Sequence, residues 1–169
     1  MSIPKNDPEY RRLRRITQEL SARIDLDKAN REVLTLHESR KTLGLAASSK
    51  RYDPQYVYDA VQTDMAYRGR LVTLIKKVSN TVALLNQAMK AFRSYALTEY
   101  RDELGRTQGD RQAAIDRYCR PALDFIAECE EHVAGIEIVI KDIDQGGFAY
   151  ARLVDLLKLM HDKAGIRNV

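Results

Sequence analysis

The feature that most limits how this chain can fold is a run of apolar residues in its middle third. Leu71, Ile75, Val78, Val82, Leu85, Met89, Phe92 and Ala96 follow one another at alternating spacings of four and three. That spacing puts all eight on one face of an α-helix, whereas a half-buried strand would need alternation by two. Sustained over more than three heptads, it is the pattern of helices that pack at a shallow angle, as in a coiled-coil-like seam. The sequence predicts one helix over 54–104, opened by Asp53-Pro54 and ended near Gly105. At 1.5 Å per residue it would be about 75 Å long, with Gly69 as a flex point.

The flanking regions carry the same period. Asp7-Pro8 is a helix opening, since Asp can cap free N–H groups and Pro is tolerated in the first turn. Leu13, Ile16, Leu20 and Ile24 form a first stripe. Leu26, Ala29, Val33, Leu36 and Leu43 form a second, with Arg40 set among them. The stripes fall out of register near Asp25 and Asp27, so residues 7–44 are either one bent helix or two, the second capped by Asp27 and ended by Gly44. Residues 45–53 read as a linker. Ile115, Tyr118, Ala122, Phe125, Cys129, His132, Ile136, Val139 and Ile143 predict a helix over 110–144, kinked or restarted at Pro121. Gly146-Gly147 should break it, leaving a closing helix over 148–164 on Ala149, Leu153, Leu156 and Met160, with Gly165 as its stop.

The expectation is therefore an all-α, long-helix bundle of about four helices in a single domain over 1–169. Only eight Gly and four Pro leave too few turn residues for a strand-rich fold. Unequal helices bury their seams incompletely within one copy, which predicts a homo-oligomer; the alternative is a long helix flanked on both sides by the bent N-terminal helix and the third helix. No apolar run reaches the roughly 18 residues that span a bilayer, so no membrane partner is expected. The N-terminus has no secretory apolar stretch, and Cys119 and Cys129 lie roughly 15 Å apart along one helix, too far to bridge. Free thiols with no export signal point to the cytoplasm.

Charge supplies the functional expectation. From Met65 to Thr98 there is no Asp or Glu, but there are six bases: Arg68, Arg70, Lys76, Lys77, Lys90 and Arg93. An ordinary exposed helix interleaves acids with bases. An acid-free face projects a positive potential and attracts phosphates. The competing interpretation is that acids on a neighbouring helix, such as Glu128, Glu130, Glu131 and Glu137, neutralise it. Arg11, Arg12, Arg14 and Arg15 add a second basic cluster, suited to phosphate contact or simply to solubility at a chain end. Lys50, Arg51, Tyr52, Tyr56 and Tyr58 mix bases with rings that either stack on single-stranded nucleic acid or anchor packing.

Catalytic signals are sparse. Arg31-Glu32 with His37 has the form of the Arg–polar–spacer–His motif of HEPN-type ribonucleases, a short match in an Arg-rich chain. Cys129 and His132 have a usable metal-ligand spacing, but both lie on the apolar stripe and read as core. Paired Glu-x-x-His, a Gly-rich phosphate loop, a nucleophile elbow and HExxH are all missing. The chain is expected to be no enzyme and to need no cofactor or metal. In outline its last 70 or so residues, with Tyr100 at a helix end and Gly147-Phe148 opening the last helix, resemble phage recombination mediator proteins. That resemblance includes no diagnostic motif; it implies a small, basic, helical oligomer that loads a recombinase on single-stranded DNA, and carries no functional residue across. The leading expectation is a non-enzymatic oligomer binding DNA or RNA without reading sequence. The alternative is a ring, collar or scaffold component acting through protein contacts.

Overall fold

The computed structural model describes residues 3–43 and 53–166. The described residues form an all-α fold: α1 (Pro8–Arg23), α2 (Leu26–Leu43), α3 (Pro54–Glu99), a single turn α4 (Arg101–Leu104) and α5 (Gln108–Ile166). Gly44, most of the 45–53 linker, and Lys50, Arg51 and Tyr52 lie outside the described residues.

Helix starts follow the local chemistry. Asp7 Oδ1 accepts the Tyr10 N–H at 2.9 Å, and Asp53 Oδ1 accepts that of Gln55 at 3.0 Å, so both Asp-Pro pairs open helices as expected. The 7–44 region is two helices. Ile24 is extended and ends α1, and the cap of α2 is Asp25, which accepts the Lys28 N–H at 2.8 Å, rather than Asp27. At the start of α5 a reciprocal cap forms: Thr107 Oγ1 accepts the Asp110 N–H, and Asp110 Oδ2 accepts the Thr107 N–H.

The expected break at Gly146-Gly147 and the restart allowed at Pro121 are corrected: α5 runs through both for 59 residues. Around Pro121 the reason is packing. Cys119, Ala122 and Ile126 are buried in one cluster, so the turns before and after the proline are held by the same core. Pro121 itself is exposed, where water can take the carbonyl its ring leaves without a donor. Gly69, proposed as a flex point, lies inside α3 without interrupting it. The break near the end of the long helix comes at Tyr100, five residues before Gly105, whose φ of 145° suits only glycine.

The chain divides into two compact units, Met1–Ala29 with Lys76–Val133, and Asn30–Ile75 with Ala134–Val169. In the first, Leu13 and Leu20 of α1, Leu85, Met89, Phe92 and Ala96 of α3, and Ile115, Cys119, Ala122 and Ile126 of α5 form the main core. Ile24, Val78 and Cys129 form a smaller cluster. In the second, Val33 of α2, Leu71 of α3, and Ile136, Val139 and Ile143 of α5 pack together. The stripes named in α1, in α3 and from Ile115 to Ile143 are buried or half-buried, whereas Ala149, Leu156 and Met160 of the expected closing helix are exposed.

Candidate functional site

In the first unit α3 turns Val78, Thr81, Leu85, Met89 and Phe92 inward. At 100° per residue, Lys76 and Lys90 then fall opposite the core, and Lys77 falls to one side. All three are exposed and have no acidic partner among the described residues. Lys76 and Lys90 are separated by about 21 Å along the axis. Between them the outward residues are Ser79, Asn80, Ala83 and Gln87, all exposed, so this surface offers hydrogen-bond donors and cations but no carboxylate.

Arg93 does not belong to that surface. It lies beside the core, half-buried, and donates from Nη2 to Asp116 Oδ1 at 2.8 Å. Burial raises the pKa of the nearby Cys119 thiol, against the opposing pull of the Arg93 charge. On α1, Arg11 and Arg14 are exposed without acidic partners among the described residues. Arg12 reaches Glu9 at 3.4 Å, and Arg15 reaches Glu19 at 3.8 Å. These exposed pairs contribute little energy but weaken the cluster's charge.

In the second unit Arg68 donates to both oxygens of Asp144, at 2.7 and 3.2 Å. The hydrogen bond from Arg68 holds the Asp144 carboxyl below its ordinary pKa. Arg70 is exposed. Of the six bases in the acid-free stretch, two are therefore neutralised within their own unit, by Asp116 and Asp144. Glu128, Glu130, Glu131 and Glu137 pair with none of the six among the described residues.

Sequence reasoning passed over a polar cluster in the second unit. Arg40, set within the apolar stripe of α2, donates from Nε and Nη2 to the two oxygens of Asp64 on α3, at 2.7 and 3.2 Å. Its Nη1 donates to Asp142 Oδ2 on α5 at 2.6 Å. Burial opposes the Arg40 charge, but the two carboxylates outweigh it and raise its pKa. Burial, with the Asp64 charge next, raises that of Tyr150 as well. A half-open cavity of about 180 Å³ adjoins these groups, lined also by Tyr56, Asp59, Thr63 and Tyr67. The only signal in the sequence was Arg40 itself, a charge at a stripe position.

The catalytic and metal candidates stay apart or buried. Arg31 and His37, six residues apart, point about 120° away from each other around α2. Cys129 and His132 are buried, in keeping with core roles, and burial lowers the His132 pKa. Among the described residues no helix is long and apolar enough to cross a membrane. No protein-family model matches the chain, nor does any curated protein or solved structure.

Proposed function

We propose that this protein is a non-enzymatic helical oligomer of the reducing cytoplasm that binds single-stranded DNA or RNA along α3 without reading sequence. The observation that carries the reading is the exposure of Lys76, Lys77 and Lys90 on a helix face free of acids. Ser79, Asn80 and Gln87 between them supply neutral donors of the kind that accompany lysine at phosphates. Arg11 and Arg14 of α1 extend the positive charge of the same unit. Arg68 and Arg93 leave the set, because each already holds a carboxylate.

The test is fluorescence anisotropy of a labelled single-stranded oligonucleotide across a salt series, for the native protein and for a triple Lys76→Gln, Lys77→Gln, Lys90→Gln variant. Loss of three phosphate contacts should flatten the slope of log K against log salt by about 2. Undetectable binding by the native protein, or an unchanged slope in the variant, would sink the reading.

A second reading, assembly through protein contacts, is favoured by a different observation. The end of α5 leaves Phe148, Val154, Leu156, Leu159 and Met160 exposed, and clustered exposed apolar side chains of this kind are a common mark of protein contact.

A further inference from the structure

The cavity beside Arg40 has a composition that selects a ligand. Tyr56, Tyr67 and Tyr150 line it together with Asp59 and Asp64. Among the described residues its one cationic lining group is Arg40, held by two carboxylates, Asp64 at 2.7 Å and Asp142 at 2.6 Å. Counting Arg40 against Asp59, Asp64 and Asp142 leaves a formal charge of −2 on this group. An anion entering the cavity would meet that excess and find the guanidinium already occupied. A cation would be drawn in.

The kind of cation follows from the walls. Among the described residues no group of three His, Cys, Asp or Glu side chains stands close enough to hold a metal ion, and both oxygens of Asp64 are engaged by Arg40. Among the described lining residues this leaves three tyrosines and one accessible carboxylate, Asp59, which is exposed and accepts from the Gln55 amide at 2.9 Å. Tyrosine rings attract organic cations through the negative face of the π-system, and sites of several rings with a nearby acid take ammonium groups that carry alkyl substituents. A volume of about 180 Å³ suits a ligand portion of about seven heavy atoms, since an apolar cavity of roughly 150 Å³ holds benzene.

We propose that this tyrosine-lined cavity of the second unit binds a small alkylated ammonium ion. Asp59 supplies the balancing charge, and Tyr56, Tyr67 and Tyr150 supply the walls. The site is independent of the lysine face of α3 and stands or falls separately from it.

The experiment titrates the full chain with choline and follows the tyrosine ring resonances by NMR. The control is 3,3-dimethylbutan-1-ol, which replaces the quaternary nitrogen of choline by carbon. Choline should give a saturable shift of pocket resonances, and the neutral analogue should bind about tenfold more weakly. Asp59→Asn should weaken choline several-fold while leaving the neutral analogue unaffected. Tyr67→Phe should retain binding and Tyr67→Leu should lose it; far-ultraviolet dichroism establishes that each variant is folded. Equal binding of the two probes, no saturable shift with choline, or tighter binding of inorganic phosphate would each overturn the proposal. Indifference to Asp59→Asn would do so too.

Discussion

Arg40 and Asp64, twenty-four residues apart in sequence, face each other at 2.7 Å with only 11% of each side chain exposed. The pair explains how a charge can occupy the inward stripe of α2. Two of the guanidinium's nitrogens are spent on Asp64, and a third reaches Asp142, whose side chain is 54% exposed. A buried pair of this kind need not add stability over an apolar pair of similar volume, but breaking it leaves a stranded charge.

Arg40→Leu alone is therefore expected to cost about 3 kcal/mol or more in urea unfolding. With Asp64→Leu added, most of that loss should return, because no carboxylate is then left buried without its partner. Asp142 stays solvated in either variant. A double variant no more stable than the single one would refute this account of the pair.

A second polar junction, around Asp7, stands in the first unit. Asp7 is buried, and its Oδ2 accepts from the hydroxyls of both Tyr95 and Tyr100 at 2.9 Å. Burial works to raise its pKa, but the Tyr10 N–H and the two phenols outweigh it and hold the carboxyl below its ordinary value near 3.8. The hydrogen bond to Asp7 raises both tyrosines above their ordinary value near 10.0. A depressed carboxylate contributes stability above its unfolded pKa and loses it as pH falls through the folded one. A raised phenol contributes below its unfolded pKa and loses it as pH rises through the folded one. The junction should thus support the fold between about pH 4 and pH 10 and fail on either side. Asp7→Asn should lower the urea midpoint at pH 7 and flatten its dependence between pH 5 and pH 2, roughly the window in which the carboxylate is lost. An unaltered acid limb in that variant would assign acid sensitivity to other groups.

The two adjacent glycines of α5 make opposite predictions. A Cβ on Gly147 would meet nothing within 4 Å, so Gly147→Ala should stabilise by about 0.5–1 kcal/mol, the ordinary gain inside a helix. A Cβ on Gly146 would lie 3.3 Å from Arg40 Nη2 and 3.7 Å from Asp64 Oδ2. That nitrogen is tied to Asp64 and cannot move away freely, so Gly146→Ala should forfeit the gain. Thermal melts that rank the two variants in the reverse order would contradict the close approach of α5 to Arg40.

These glycines also mark where sequence reading stops. The stripe from Ile115 to Ile143 was legible because helical period is a local property, and every residue named in it is buried or half-buried. The break expected at Gly146-Gly147 and the restart allowed at Pro121 fail for the same reason. Their local costs, about 1 kcal/mol for glycine and about 3 for proline, argue for a break, and only packing from distant segments offsets them. Links such as Asp7 to Tyr100 or Arg40 to Asp142 span 93 and 102 residues. They depend on which helices meet, which no local pattern states. The basic face was legible as composition, but the partners of Arg68 and Arg93 were not, because Asp144 and Asp116 stand on another helix.

The end of α5 supplies the last prediction. Leu156, Leu159 and Met160 lie within five residues and are all exposed, Leu159 at 59% and Met160 at 55%, with Phe148 at 73% a few turns before them. Arg152, Asp155 and Lys158 alternate in sign along the same stretch, so a second copy laid antiparallel could bring apolar to apolar and base to acid. Light scattering should then give a mass that is a multiple of 19.3 kDa and holds at high salt, since apolar burial is little screened while exposed charge pairs are. Replacing Leu156, Leu159 and Met160 together by Gln should return the monomer without loss of helicity. A native protein that is monomeric in both low and high salt would leave the stripe with no role in self-association and remove the oligomer from the proposed function.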